Sequence, residues 1–377
     1  MASPALSLLR DLIAIPSVNP AGDPGTPHTG ETAIAAYLQK WTVRAGADAS
    51  LMPVLPGRPN VLAVWKPKGL RKPAARIWFA PHTDTVSVAG MTVAPFDPVV
   101  RAGKVTGRGA SDTKGSVAAM LTAIDAWWRD GGKRGDIEVG FAGLMGEEAG
   151  NDGARALAAR ADFRADLVVV GEPTGLKVAA AHKGALWFEL RSAGRACHAS
   201  TPERGRNAID AMAAALAALR EGLPPFLARR PHPLLGPATY NVGTVRGGSK
   251  VNIVPDRCVA EIDVRVTPAC PDKAVLAEVR RLVAPFGVTI AAARLNPGLA
   301  TDPELPLVRR LREFAHGDGA PIGVPWFCDA AIFARRGFPA VAFGPGSIDQ
   351  AHTRDEFLRV ADLENGANAC LAFLKSF

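Results

Sequence analysis

The apolar positions along the chain change period several times, and each change marks an element. Residues 4–14 carry apolar side chains at helical spacing and predict an N-terminal helix, which the prolines and glycines of residues 16–27 end in a loop. Residues 115–130 repeat the pattern, with Val117, Met120, Leu121, Ile124, Trp127 and Trp128 on one apolar face. Between and beyond these helices lie short apolar runs of the kind that form buried strands, at 77–79, 137–142, 167–170 and 340–343. Strand and helix alternate up to about residue 176, which predicts an α/β arrangement.

The order changes over residues 177–292. Strand 186–191, helix 207–220, strands 240–246 and 259–266, helix 272–283 and strand 288–291 follow the β-α-β-β-α-β succession of a ferredoxin-like unit. The α/β pattern then resumes with the 340–343 strand and a closing helix at 361–374. The expected fold class is therefore α/β, a domain of residues 1–176 and 293–377 with a mixed sheet flanked by helices. Residues 177–292 would form an inserted α+β domain, and the proline- and arginine-rich stretch 220–237 a surface loop within it. A chain of 377 residues exceeds the size at which one core usually keeps growing, which agrees with two domains.

Composition narrows the partners. Hydrophobic residues make up 48% and charged residues 21%, as in an ordinary globular protein. The net charge of +8 comes from scattered arginines and lysines, with no block of like charge and no aromatic-interleaved basic stripe. Nucleic-acid binding is therefore not expected, and the basic surface is read as one that steers an anionic substrate. The five cysteines form an odd set without a C-x-x-C pair, which suits neither a zinc ribbon nor a disulfide framework and points to a reducing compartment. The start of the chain lacks a basic stretch followed by an apolar one, and no apolar run approaches about 18 residues. A cytoplasmic protein with no membrane partner is the expectation.

The candidate chemistry lies beyond the strands. His82-Thr83-Asp84 follows the 77–79 run, Glu147-Glu148 follows 137–142, Glu172 follows 167–170, and the 340–343 run leads towards His352. In open α/β sheets ligands gather at the carboxyl ends of the strands, so these residues can converge, with Asp112 joining them from a glycine-rich stretch. Two histidines and three carboxylates suffice for two metal ions: His82, Asp112 and Glu172 on one, Asp112, Glu148 and His352 on the other, with Asp112 bridging. Such a pair of ions can share a water, lower its pKa and clamp the oxygen that turns negative when an amide is attacked. Mixed imidazole and carboxylate ligands suit zinc first, with cobalt or manganese as substitutes.

Asp84, two residues from His82, would lie on the same side of an extended segment and could accept the imidazole's other N–H. Glu147 and Glu148 point different ways, one as a base and the other as a ligand. Each motif alone is weak, since an H-x-D is usually a surface turn and an E-E pair a solvated helix face. Five ligand-type positions in successive loops are not explained that way. A G-x-S-x-G elbow, an H-E-x-x-H helix and a G-x-x-x-x-G-K-[ST] loop are all absent.

As a set, Pro81-His82-Thr83-Asp84, the stretch from Gly107 to Gly115, Gly146-Glu147-Glu148, Gly171-Glu172-Pro173-Thr174 and the stretch from Gly344 to Glu356 resemble the M20 metallopeptidases over nearly the whole chain. The resemblance implies two zinc ions held by His82, Asp112, Glu148, Glu172 and His352, with Glu147 as general acid/base and Asp84 as the partner of His82. It also implies a cis peptide after Asp112, and an inserted lid domain through which subunits form a homodimer. In Gly194-Arg195-Ala196-Cys197-His198, His198 matches the histidine that reaches across the dimer to the oxyanion. Asn252 and Arg265 match positions that bind the substrate's carboxylate, with Lys183 adding charge, and Gly344 and Ser347 belong to the substrate side of the site. Asp329 is expected either to contact a cationic amine or to cap the helix that follows it. The residues from Phe343 to His352 are most similar to the branch that deacetylates N-acetylornithine. Hydrolysis of an N-acyl amino acid is thus implied, with desuccinylase, aminoacylase or dipeptidase and carboxypeptidase activity, or an inert binding protein, as alternatives.

Overall fold

Leu167–Val170 is buried at all four positions, which is what a strand with other elements on both faces requires. The computed structural model, which describes residues 2–24 and 26–377, places it inside a mixed sheet. From one edge the order is Asp48–Leu55, Arg58–Trp65, Glu138–Gly143, Arg76–Phe79, Leu167–Val170 and Ala340–Ala342. The first two strands form an antiparallel hairpin, and Arg58–Trp65 is antiparallel to Glu138–Gly143. The remaining four strands are mutually parallel. Trp78 sits opposite Gly140, where an added Cβ would come within 2.3 Å of the indole ring, so glycine there lets the ring lie across the neighbouring strand.

Lys114–Arg129 packs against both Pro4–Ile13 and Val360–Lys375. Its expected apolar face is buried, and so are Ala118, Ala119 and Ala123, because neighbours cover more than one side. Pro4–Ile13 begins where Ser3 Oγ accepts the Leu6 N–H at 3.2 Å, with proline in the first turn.

The chain divides into two compact units. One holds the chain up to Ala180 with Thr301–Ile322 and Cys328–Phe377, and the other Ala181–Ala300 with Gly323–Phe327. The sequence pattern had set the divisions at 176/177 and 292/293. Residues 323–327 belong with the second unit because the Lys183 N–H donates to the Val324 carbonyl at 3.2 Å. The second unit is an antiparallel sheet in the order Thr239–Gly247, Arg257–Arg265, Ala185–Ala193, Thr289–Asn296. Cys258, Ala260, Ile262 and Val264 alternate inward to a core shared with Ala208–Ala228 and Asp272–Val283.

One expectation is corrected here. Residues 220–228 are helical, so the supposed loop over 220–237 starts only after Ala228, although Pro224 and Pro225 lie inside the helix. Each proline forfeits a backbone donor, but Leu219, Leu223 and Leu227 recur at fourth positions and are all buried. Leu223→Ala should therefore cost about 2–5 kcal/mol of unfolding free energy in urea. A loss below about 1 kcal/mol would place this turn outside the core.

All five cysteines are unpaired. Among the described residues no helix is long and apolar enough to cross a membrane.

Candidate metal centre

Because Glu138–Gly143, Arg76–Phe79, Leu167–Val170 and Ala340–Ala342 are parallel neighbours, their carboxyl ends share one edge of the sheet. The pairing of the first two continues past the strands, with the Thr83 N–H donating to the Leu144 carbonyl at 2.7 Å and the Leu144 N–H to Pro81 at 2.9 Å. His82 is thereby held beside the segment that leads to Glu147 and Glu148. Asp112 is delivered differently, by the turn before Lys114–Arg129, and the Asp112–Thr113 peptide is cis.

His82 Nε2 lies 3.0 Å from Asp112 Oδ1. His352 Nε2 lies 3.3 Å from Asp112 Oδ2 and 3.2 Å from Glu148 Oε2. Asp112 thus presents one oxygen to each imidazole, and ligand atoms of His82, Asp112 and Glu148 all fall within 4.8 Å of one another. Glu172 is buried nearby, and its Oε1 has no hydrogen-bond partner. His352 approaches from the exposed side with a left-handed backbone, φ 61°.

His82 Nδ1 is 2.9 Å from the backbone oxygen of Asp84 and 3.5 Å from its Oδ1. A carbonyl can only accept, so Nδ1 carries a proton and Nε2 is the ring atom turned to Asp112. Burial lowers the imidazole's pKa, but Asp112 and Asp84 outweigh it and push it well above the usual value. The Asp84 carboxylate has further partners besides His82. It accepts Asn19 Nδ2 at 2.8 Å and the N–H groups of Glu147 and Glu148 at 3.0 and 3.1 Å, which fixes the glutamate pair from behind.

The charges are in conflict. Burial, then the Glu172 charge, pushes the Glu147 carboxyl well above its usual range. Burial likewise raises Glu172, against the pull of His82. The Asp112 carboxyl resists burial because His352 and His82 hold it below its usual range. Hydrogen bonds to Asp112 and Glu148 push His352 up to about 10. Crowded carboxylates, an orphaned Glu172 oxygen and two converging imidazoles form a donor set that fits divalent cations, which would relieve this repulsion.

The other candidates are distributed between the units. In the first, Gly344 has no room for a Cβ, which would come 2.3 Å from Ser116 Oγ and 2.7 Å from the Glu172 carbonyl oxygen. Ser347 Oγ accepts the Asp349 N–H at 3.2 Å. Asp329 precedes the helix Ala330–Arg335 without a side-chain cap bond, and its buried Oδ1 accepts Asn151 Nδ2 at 3.0 Å. In the second unit, His198 is exposed, with Nδ1 2.7 Å from Ser200 Oγ, and the exposed Asn252 accepts the Ala199 N–H at 3.1 Å through its carbonyl. Arg265 Nε donates to Asp263 at 3.0 Å, and Lys183 Nζ to the Pro237 carbonyl at 2.8 Å.

Sequence reading missed several supports. Asn19 and Asn151 carry no motif signal, since a lone asparagine beside a loop is commonplace. Asn151 Nδ2 also donates to the Glu147 carbonyl at 3.1 Å. Glu356 ends the Gly344–Glu356 stretch, and nothing in its spacing marks the backbone N–H groups it accepts.

An α/β fold that gathers imidazoles and carboxylates at one sheet edge defines the class, a hydrolase that works with divalent metal. The chain belongs to Peptidase family M20/M25/M40, whose profile matches residues 78–376. Acetylornithine deacetylase of Proteus mirabilis is 29% identical over 386 residues, covering 95% of this chain and 93% of the relative. A tripeptidase from Staphylococcus aureus superposes with a TM-score of 0.79 at 21% identity, over 99% of this chain and 97% of its own. An M20 family metallo-carboxypeptidase from Sulfolobus solfataricus gives 0.79 at 20% identity, over 99% of both chains. At such identities the two structures speak for the shared fold alone.

Proposed function

We propose that the protein hydrolyses the amide bond of an N-acyl amino acid, with N-acetylornithine or a close analogue as the first candidate substrate. The carrying observation is that Asp112 faces His82 at 3.0 Å and His352 at 3.3 Å, with Glu147 held beside them. The similarity to acetylornithine deacetylase along 95% of the chain supports the acyl amino acid.

In this reading His82, Asp112 and Glu172 hold one ion and Asp112, Glu148 and His352 a second, with zinc preferred and cobalt or manganese as substitutes. A metal held there would supply a more acidic water and a polarised amide carbonyl. Glu147 takes the proton from the attacking water and passes it to the leaving nitrogen. Asp84 holds His82 and the Glu147-Glu148 backbone in place. His198 supports the oxyanion across a homodimer formed through the second unit. Arg265 and Asn252, aided by Lys183, bind the substrate carboxylate, for which guanidinium offers two parallel donors. Gly344, Ser347 and Asp329 shape the side that receives the amino acid. The cytoplasm is the proposed location, and the unpaired cysteines support it.

A second reading takes a short peptide as substrate, since the family whose profile matches the chain is a peptidase family. Assaying N-acetyl, N-succinyl and dipeptide substrates with zinc or cobalt separates the two. The deacylase reading expects the highest kcat/KM on N-acetylornithine or a near analogue. Turnover confined to dipeptides overturns it, and metal uptake with no turnover on the panel points to an inert binding relative.

A further inference from the structure

The turn that carries Asp112 is folded around a carboxylate. Between the strand Lys104–Thr106 and the helix Lys114–Arg129, Gly107 and Gly109 take φ values of 145° and 82°, which side chains rarely adopt. This directs the N–H groups of Gly109, Ser111 and Asp112 inward, where they meet Glu356 at 2.9, 2.8 and 3.0 Å. Arg108 Nη1 adds a fourth contact at 2.9 Å. Successive inward N–H groups make an anion-binding concavity, and here the chain supplies the anion itself, from 244 positions beyond Asp112.

Glu356 is fully buried and held by its backbone as well. Phe357–Arg359 pairs antiparallel with Lys104–Thr106, and the Gly107 N–H donates to the Glu356 carbonyl at 3.1 Å. His352 lies four residues earlier on the same segment. The position of that segment relative to the Asp112 turn is therefore fixed next to the point where Asp112 and His352 approach to 3.3 Å. Glu356 has no oxygen to spare for a cation. Oε1 takes the N–H groups of Ser111 and Asp112, and Oε2 those of Gly109 and Arg108.

We infer that Glu356 is a positioning residue: by gripping the Gly109–Ser111–Asp112 backbone it sets the approach of Asp112 to His352, and so the affinity of the metal site the two share. The inference rests on reading Asp112 and His352 as ligands.

Glu356→Gln tests it, because glutamine keeps the volume but turns one oxygen into an NH₂ that faces N–H donors whichever way the amide lies. The metal-free protein is titrated with cobalt by calorimetry and visible absorbance, with circular dichroism and the thermal midpoint recorded in the same buffer. Cobalt affinity is expected to fall about 10- to 100-fold, as when other supports of metal ligands are removed. Glu356→Asp, which keeps the charge, should recover part of the loss. In steady state, kcat should fall with KM nearly unchanged, and should recover in part at saturating cobalt. A folded Glu356→Gln protein whose cobalt affinity stays within about twofold of the parent overturns the inference, even if its thermal midpoint drops. If that variant does not fold, Arg108→Met decides. It removes one of the four contacts, so weaker cobalt binding supports the role and unchanged binding removes it. Cobalt binding is read without substrate, so a wrong substrate assignment leaves this result untouched.

Discussion

Replacing Glu147 with glutamine should lower turnover by about 10²- to 10⁴-fold while leaving the bound metal unchanged. The backbone at Glu147 is held from both sides, by the Asp84 carboxylate on its N–H at 3.0 Å and by Asn151 Nδ2 on its carbonyl at 3.1 Å. The substitution therefore has little scope to move the loop. Glu147 is also outside the tight group formed by His82, Asp112 and Glu148. Glutamine matches its shape and cannot accept a proton at the carboxyl position, so the variant isolates proton transfer from metal binding. Steady-state kcat with elemental analysis of the purified protein checks both halves. Near-parental kcat would remove Glu147 from the chemistry, and loss of metal would make it a ligand instead.

Much of this site was legible because strand ends announce themselves. A buried apolar run followed by His82, by Glu147-Glu148 or by Glu172 needs only the rule that parallel strands deliver their loops to one edge. The Asp112 turn was legible through its glycines, which mark a backbone that side-chain sterics would otherwise forbid. What holds the turn was not, because the Glu356 carboxylate bonds to backbone N–H groups, which every non-proline residue offers, and no spacing rule links it to positions 244 to 247 residues away. Asp84 shows the same limit. Its closeness to His82 was readable, but not that its carboxylate also accepts the backbone N–H groups of Glu147 and Glu148, nor that its own carbonyl accepts the His82 Nδ1–H. The helix through Pro224 and Pro225 escaped for a different reason. Local propensity argues against it, and the burial of Leu219, Leu223 and Leu227 against a sheet formed by distant residues prevails.

Removing the metal with a chelator should abolish turnover and leave a chain whose stability falls as pH rises from 5 to 9. The metal-free cluster holds Glu147 and Glu172 with pKa values well above the ordinary 4.5, chiefly through burial. The folded chain then keeps protons that the unfolded chain releases. The stabilisation is fully present below the unfolded value and is lost as pH rises through the folded one. His352, raised from 6.5 to about 10 by Asp112 and Glu148, contributes stability that is complete below 6.5 and is lost on the way to about 10, so its slope has the same sign. Asp112 and Asp84 are lowered from 3.8, and their contributions fade only below that value, outside the window. Lys114, lowered by burial from 10.5 to about 7, opposes the fall above pH 7 as one group against several. Each proton held by the folded state alone is worth about 1.4 kcal/mol per pH unit. Cations in the cluster replace those protons and bind best to ionised carboxylates and neutral imidazoles, so the loaded protein should lose this slope and gain metal affinity with pH. Urea midpoints at pH 5, 7 and 9, with chelator and with zinc, make the comparison. A stripped chain as stable at pH 9 as at pH 5 would mean that these carboxylates are not packed together in the fold, and the metal-centre reading would fail with them.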